Sequence, residues 1–253
     1  MAGAADMIWQ LWNAGEVIDS LPEDLRPHTR DEGYAVQAEL EALSKRPLVG
    51  WKIAATSKAG QHHIGVSGPI AGRLLAQRVF DDGAELAFGA NRMRVAEPEF
   101  AFRFGQALGP REDAYQIDEV LAAVDSLHPA IEVPDSRFDD FASAGEAQLI
   151  ADNACAHEFV LGPATSANWR DIDLSKHEVS VEAVGGDQYT GIGSNVLGDP
   201  RVALLWLVNE VTGLGLTLDT GHIVTTGTCA EPLEVEPDDE IIMNFGDLGA
   251  VEL

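Results

Sequence analysis

At 253 residues, 45% hydrophobic and 23% charged, the chain has the size and composition of one large globular domain or a domain with a modest extension, which excludes disorder. Its 42 acidic and 16 basic residues give a formal net charge of −26, so the surface repels phosphate backbones and nucleic acid is excluded as a partner. No apolar run approaches the roughly 18 residues of a membrane helix, which excludes a spanning segment of that kind.

The opening MAGAADMIWQLW carries Asp6 and no basic start, so no signal peptide is expected. Cys155 and Cys229 lack metal-ligand spacing and predict two reduced thiols in a cytoplasmic protein. Two helices are predicted in residues 1–47. Met7, Ile8, Leu11 and Val17 set an apolar stripe over about 4–21. Thr29 and Glu32 then form a T-x-x-E capping box for a helix running to about Ser44.

From Leu48 the texture changes to short apolar runs between glycine-rich turns, and a β-rich domain over 48–253 is expected. LVGWKIAA, RVFDDGAELAF, RVAEPEFAFRF, HPAIEVPDS and HEFVLG read as strands, as do HIVTTGT, DEIIMNF and GAVEL near the end. Helices are predicted over about Ile117–Leu127 and from Asp199-Pro200 to about Thr212, the second opened by an N-cap and an N1 proline. The spacing is too irregular for a repeating βαβ array. The fold class is α+β, a largely β core with a helical N-terminal segment.

Three glutamates stand out. In VAEPEFAFRF, period-two alternation puts Ala96, Pro98, Phe100, Phe102 and Phe104 on one face and Glu97 and Glu99 side by side on the other. Adjacent carboxylates repel unless solvent or a cation lies between them. Pro98 inside this run suggests an edge or a bulge. Glu132 lies within the apolar run PAIEV, where an ionised carboxylate needs a partner. The residues alone allow either a solvated acidic face or a site of hard oxygen ligands, suited to Mg²⁺ or Mn²⁺. Lys52 shares a strand face with Gly50 and Ala54, small neighbours that leave room beside the ammonium.

EPEFAF, then PAIEVPDSR some thirty residues on, then ADNA, resembles the metal-binding core of the fumarylacetoacetate hydrolase superfamily. GWKIAATSK, followed by HIGV and GRLL, and later by LGDP and TTGT, resembles its branch of 2-keto-4-pentenoate hydratases and 4-oxalocrotonate decarboxylases. The ordered set spans roughly Tyr34 to Leu253. The resemblance implies the mixed β-sandwich or roll of that superfamily. It also implies Glu97, Glu99 and Glu132 as ligands of Mg²⁺ or Mn²⁺, and a homo-oligomer.

Further roles follow from it. Lys52 would hold a substrate carboxylate or stabilise enolate charge, with Glu97 a candidate for proton transfer. Ser57, Gln77, Asp152, Asn153 and Thr228 would bind or position the substrate, a small anionic 2-oxo acid. The implied reaction is hydration of a 2-hydroxy-2,4-dienoate to a 4-hydroxy-2-oxo acid, as in meta-cleavage catabolism of aromatic compounds. Decarboxylation of a vinylogous 2-oxo acid, C–C hydrolysis of an acylpyruvate and, remotely, a non-catalytic scaffold are the alternatives. Gln77 departs from the branch, where several hydratases carry an acid that moves a proton.

Overall fold

The computed structural model describes residues 2–186 and 188–253. In chain order its elements begin with α1 (Ala2–Ala14), α2 (Arg30–Ser44), β1 (Leu48–Ala54), α3 (Lys58–His63), β2 (Ile70–Leu75) and β3 (Val79–Asp81). Next come β4 (Val95–Phe104), α4 (Ile117–Ala123), β5 (Val124–Val133), α5 (Glu146–Ala151) and β6 (Glu158–Leu161). The last third holds β7 (Glu178–Ala183), β8 (Gln188–Ile192), α6 (Pro200–Gly213), β9 (Ile223–Thr228), β10 (Leu233–Glu234), β11 (Ile241–Asn244) and β12 (Ala250–Glu252). No helix among the described residues is long and apolar enough to cross a membrane.

The strands form two mixed or antiparallel layers. The larger sheet runs β2-β1-β9-β4-β5-β6-β3, with β10 added on β4; the smaller runs β12-β11-β7-β8. The larger sheet curls strongly. Leu74 of β2, Ile223 of β9, Ala101 of β4, Ala130 of β5 and Phe159 of β6 share one apolar cluster with Val79 of β3, so side chains from both edges of the sheet meet on its inner face. The outer face carries Trp51, Ile53, Phe100, Phe102 and Phe104, all buried against α6 and the smaller sheet. Phe100 meets Phe245 edge to face at 5.2 Å, and each such buried aromatic contributes about 1.5–3 kcal/mol.

The alternation read in β4 is observed: its aromatic residues face the outer core and Glu97 and Glu99 face inward, opposite Glu132 and Ala130 of β5. Pro98 is central rather than at an edge. It is accommodated beside a register break, where the pairing of β4 with β9 shifts between Glu99 and Ala101. Cys229 N donates to the Pro98 carbonyl across that break, at 3.0 Å.

Thr29 and Glu32 cap α2 reciprocally, as the capping box predicts. Asp199 caps α6 through the Arg201 amide at 2.7 Å. Two predicted helices are shorter than expected. The first stops at Ala14 because Gly15 takes a left-handed φ of 67° and the Glu16 amide turns back to the Leu11 carbonyl, a closing bond that ends the helix. The helix begun at Ile117 ends at Ala123, since Val124 onward is drawn into β5 by pairing with Phe104 and Arg103 of β4. The run from Arg78 to Phe88 is a strand only over Val79–Asp81. Cys155 and Cys229 are buried unpaired thiols.

Candidate active site

Four of the predicted residues come together on the inner face of the curled sheet. Glu97 and Glu132 are direct cross-strand partners, and Glu99 lies two residues along β4. Each of the three glutamates offers a carboxylate oxygen within 4.8 Å of the others. Glu99 and Glu132 are fully buried and Glu97 is half-buried. Lys52, on β1, is 3% exposed and places Nζ 2.9 Å from Glu132 Oε1 and 3.0 Å from the Ala154 carbonyl.

Such a cluster is electrostatically costly by itself. Burial, then the charge of Glu132, pushes the Glu97 carboxyl up to about 7, although Lys52 opposes the shift. Burial, Glu132 and Glu97 hold Glu99 well above the usual carboxylate range. Burial would lower the Lys52 ammonium, but Glu132, Glu99 and Glu97 outweigh it and raise its pKa.

Glu99 Oε2 accepts from the Thr225 hydroxyl and from the Gly227 amide at 2.8 Å. Glu99 Oε1 has no hydrogen-bond donor among the described residues. Neither do the Glu132 oxygens, whose ion pair with Lys52 is close but not aligned as a hydrogen bond. Buried polar atoms without donors call for an explanation. Three inward carboxylates with open lone pairs and all-oxygen chemistry fit a hard divalent cation.

The remaining predicted residues lie around this centre in different ways. Asp152 and Asn153 belong to a turn after α5 in which Asn153, Ala154 and Cys155 have φ of 56°, 52° and 60°. Three consecutive non-glycine residues in the left-handed region cost about 1–2 kcal/mol each, so the surroundings must hold them there. Asp152 is buried against Arg137: its carboxylate accepts from Arg137 Nε, from the Arg137 amide at 3.0 Å and from the Ser136 hydroxyl at 2.7 Å. Arg137 also donates to the carbonyls of Asp135 and Ala156, which locks PDSR and ADNA to each other.

Ser57 is exposed and caps α3 by accepting from the Gly60 amide at 3.0 Å. Gln77 sits in a short turn between β2 and β3, with its buried Oε1 lacking a hydrogen-bond partner among the described residues. Thr228 closes β9, and its hydroxyl is used within its own turn, donating to the Ala230 carbonyl at 2.8 Å. The TTGT segment therefore touches the acidic centre through Thr225 and Gly227. Gly227 lies in the G-T element that the resemblance marks, whereas Thr225 and Arg137 carry no role assigned from sequence. Thr225 lies on the inward face at the β9 register break, which no local pattern announces.

A curled mixed sheet flanked by a second sheet, with a buried carboxylate triad on its inner face, is the fold that fumarylacetoacetate hydrolases share. No protein-family model matches the chain. It is 30% identical over 251 residues to a 2-keto-4-pentenoate hydratase of Paraburkholderia xenovorans (strain LB400), covering 98% of this chain and 92% of that one. Among solved structures it is similar to 4-oxalocrotonate decarboxylase from Pseudomonas putida G7, complexed with magnesium and adipate. The TM-score is 0.88 at 26% identity, over 99% of this chain and 95% of that chain. The fold alone also matches fumarylacetoacetate hydrolase from Exiguobacterium antarcticum, with a TM-score of 0.57 at 14% identity over 82% of this chain and 74% of that one. The chain belongs to the family of 2-keto-4-pentenoate hydratases and 4-oxalocrotonate decarboxylases.

Proposed function

We propose that the protein is a divalent-metal-dependent hydro-lyase that adds water to a 2-hydroxy-2,4-dienoate and releases a 4-hydroxy-2-oxo acid, working in the cytoplasm as a homo-oligomer within aromatic-ring catabolism. The observation that carries this reading is the convergence of Glu97, Glu99 and Glu132 with Lys52, their buried oxygens open toward a shared centre. Mg²⁺ or Mn²⁺ held there would supply Lewis-acid withdrawal of electron density from a 2-oxo acid.

The chain's own groups divide the remaining work. Hydration requires the 2-hydroxyl proton to leave and a proton to reach C5, giving a conjugated 2-oxo-3-enoate. Water then contributes its hydroxyl to C4 and its proton to C3, so that one water is consumed. Lys52 Nζ has one N–H facing Glu132 and one donated to Ala154, leaving a third for the oxygen on which enolate charge develops. Glu97, the least buried of the three carboxylates, is the candidate to carry the proton. Thr225 and Gly227 fix the Glu99 carboxylate and leave only one of its oxygens open.

Gln77 supports a second reading. Its amide cannot accept the proton that an acid at that position would take, and decarboxylation of a vinylogous 2-oxo acid uses the same electron sink without adding water. Incubation of 2-hydroxypenta-2,4-dienoate and its 5-carboxylated analogue, 2-hydroxyhexa-2,4-dienedioate, with protein and Mg²⁺, read by dienol absorbance and by product mass, separates the two. Hydration gives a product heavier by one water; a product lighter by one carbon dioxide would replace the first reading with the second.

A further inference from the structure

We infer that Asn153 is a positioning residue for Lys52, acting by holding the left-handed turn whose Ala154 carbonyl pins the ammonium. This rests on the reading of Lys52 as the cationic partner of the reacting 2-oxo acid. The geometry itself comes from the turn.

β2 is an edge strand: among the described residues it pairs with β1 on one side and with no strand on the other. The Asn153 side chain completes that open edge as a peptide group would. Its Oδ1 accepts from the Arg73 amide at 2.7 Å and its Nδ2 donates to the Arg73 carbonyl at 2.9 Å, so the two partners also fix which way the amide points. Both bonds are buried, and Asn153 has no exposed surface.

Anchored in this way, the turn directs each of its carbonyls to a different donor. Asn153 O accepts from the Ala156 amide, Cys155 O from the Asp135 amide, and Ala154 O from Lys52 Nζ at 3.0 Å. The left-handed run of three residues is thus held by Arg73, Asp135 and Lys52 as well as by its own turn bonds, and the one carbonyl without a backbone donor is the one that meets the lysine. Gly72 permits the approach. It stands opposite Lys52 in the β1–β2 register, and a Cβ there would lie 2.4 Å from Asn153 O and 3.0 Å from Lys52 Cδ. Turn, lysine stem and β2 backbone are therefore packed with no room for a methyl group.

Asn153→Gly tests the assignment, because glycine accepts the left-handed backbone and lacks the amide. The expected result is a fall in kcat of about tenfold or more with KM changed by less than about twofold, since the ammonium stays bound but loses its aim. Lys52→Met should then cost much less in the Asn153→Gly background than in the wild type, because both changes remove one function. A crystal structure of Asn153→Gly should show Ala154 O withdrawn from Lys52 Nζ. Asn153→Asp keeps the acceptor for the Arg73 amide and loses the donor; it supplies the same readouts, with smaller effects, if the glycine variant does not fold. Effects of the two substitutions that simply multiply, or an Ala154–Lys52 contact unchanged in the variant crystal, would overturn the inference. Wild-type protein inert on every dienoate would instead defeat the functional reading, and the crystallographic distance would still decide the positioning claim.

Discussion

Lys52 and Glu132 form an ion pair of 2.9 Å in which neither side chain is more than 3% exposed, and the lysine is the only cation among the described residues that makes a salt bridge to the triad. One ammonium against three carboxyl groups leaves a surplus of buried acids, and burial holds Glu97 and Glu99 toward their protonated forms until a cation takes the place of the protons. The pair is therefore more than a structural clasp: it sets Lys52 as a fixed positive charge beside three carboxyl groups that call for a second one.

Replacing Lys52 by methionine preserves the stem and removes the charge. With Mg²⁺ supplied, the variant is expected to fold and to lose about 10²–10³ in kcat, the cost of removing one preorganised electrostatic donor. A higher KM at normal kcat would assign Lys52 to ground-state binding, and wild-type kinetics would remove it from the site. Steady-state kinetics on a dienoate substrate provide the check.

The surplus of buried acids also predicts strong stabilisation by metal. At about 100 times its dissociation constant, Mg²⁺ contributes about 2.7 kcal/mol, which for a chain of this size raises Tm by roughly 5–10 °C. Glu99→Gln removes a ligand, so its Tm should respond less to Mg²⁺ than that of the wild type. Differential scanning calorimetry with and without chelator measures both.

Arg137 is fully buried and satisfies Asp152 while reaching two backbone carbonyls. Arg137→Met should destabilise the protein by about 3–5 kcal/mol, because it strands Asp152 as a buried charge. The double variant Arg137→Met, Asp152→Asn should recover part of that loss. Urea denaturation of the wild type, Arg137→Met, Asp152→Asn and the double variant gives the comparison.

A histidine outside the acidic centre sets the acid limit. His157 Nδ1 accepts from Trp12 Nε1 at 2.8 Å, and burial, then the charges of Arg78 and Arg137, lower its pKa to about 3. The unfolded chain takes up a proton near pH 6.5 that the folded chain refuses. Stability from this group is therefore full above about pH 6.5 and is lost as pH falls toward 3, by up to about 1.4 kcal/mol per pH unit. His157→Gln, which can still accept from Trp12, should flatten the stability profile between pH 6.5 and 4.

Much of the centre was legible before any coordinates, because period-two alternation in VAEPEFAFRF fixes which residues share a face, and β4 obeys it. The capping signals at Thr29 and Asp199 are equally local and equally visible. What could not be read depends on contacts distant in sequence. Thr225 reaches Glu99 across 126 residues, and Lys52 reaches Ala154 across 102. The left-handed run at Asn153–Cys155 has no glycine to signal it. Ile117–Ala123 stops short because pairing with β4 claims Val124, a tertiary choice that overrides helical periodicity. β7 was missed although EVSVEA alternates with period two, whereas β8, QYTGI, is largely exposed and has no such pattern.

If Glu97, Glu99 and Glu132 hold a cation that turnover requires, activity must depend on Mg²⁺. Titrating Mg²⁺ into chelator-stripped protein while following dienol absorbance measures it directly. Activity should start at the background rate, rise with Mg²⁺ and saturate at a single occupied site per chain, and Glu99→Gln should shift that rise to much higher concentration. Full turnover in the presence of chelator, unchanged by added Mg²⁺, would contradict the account.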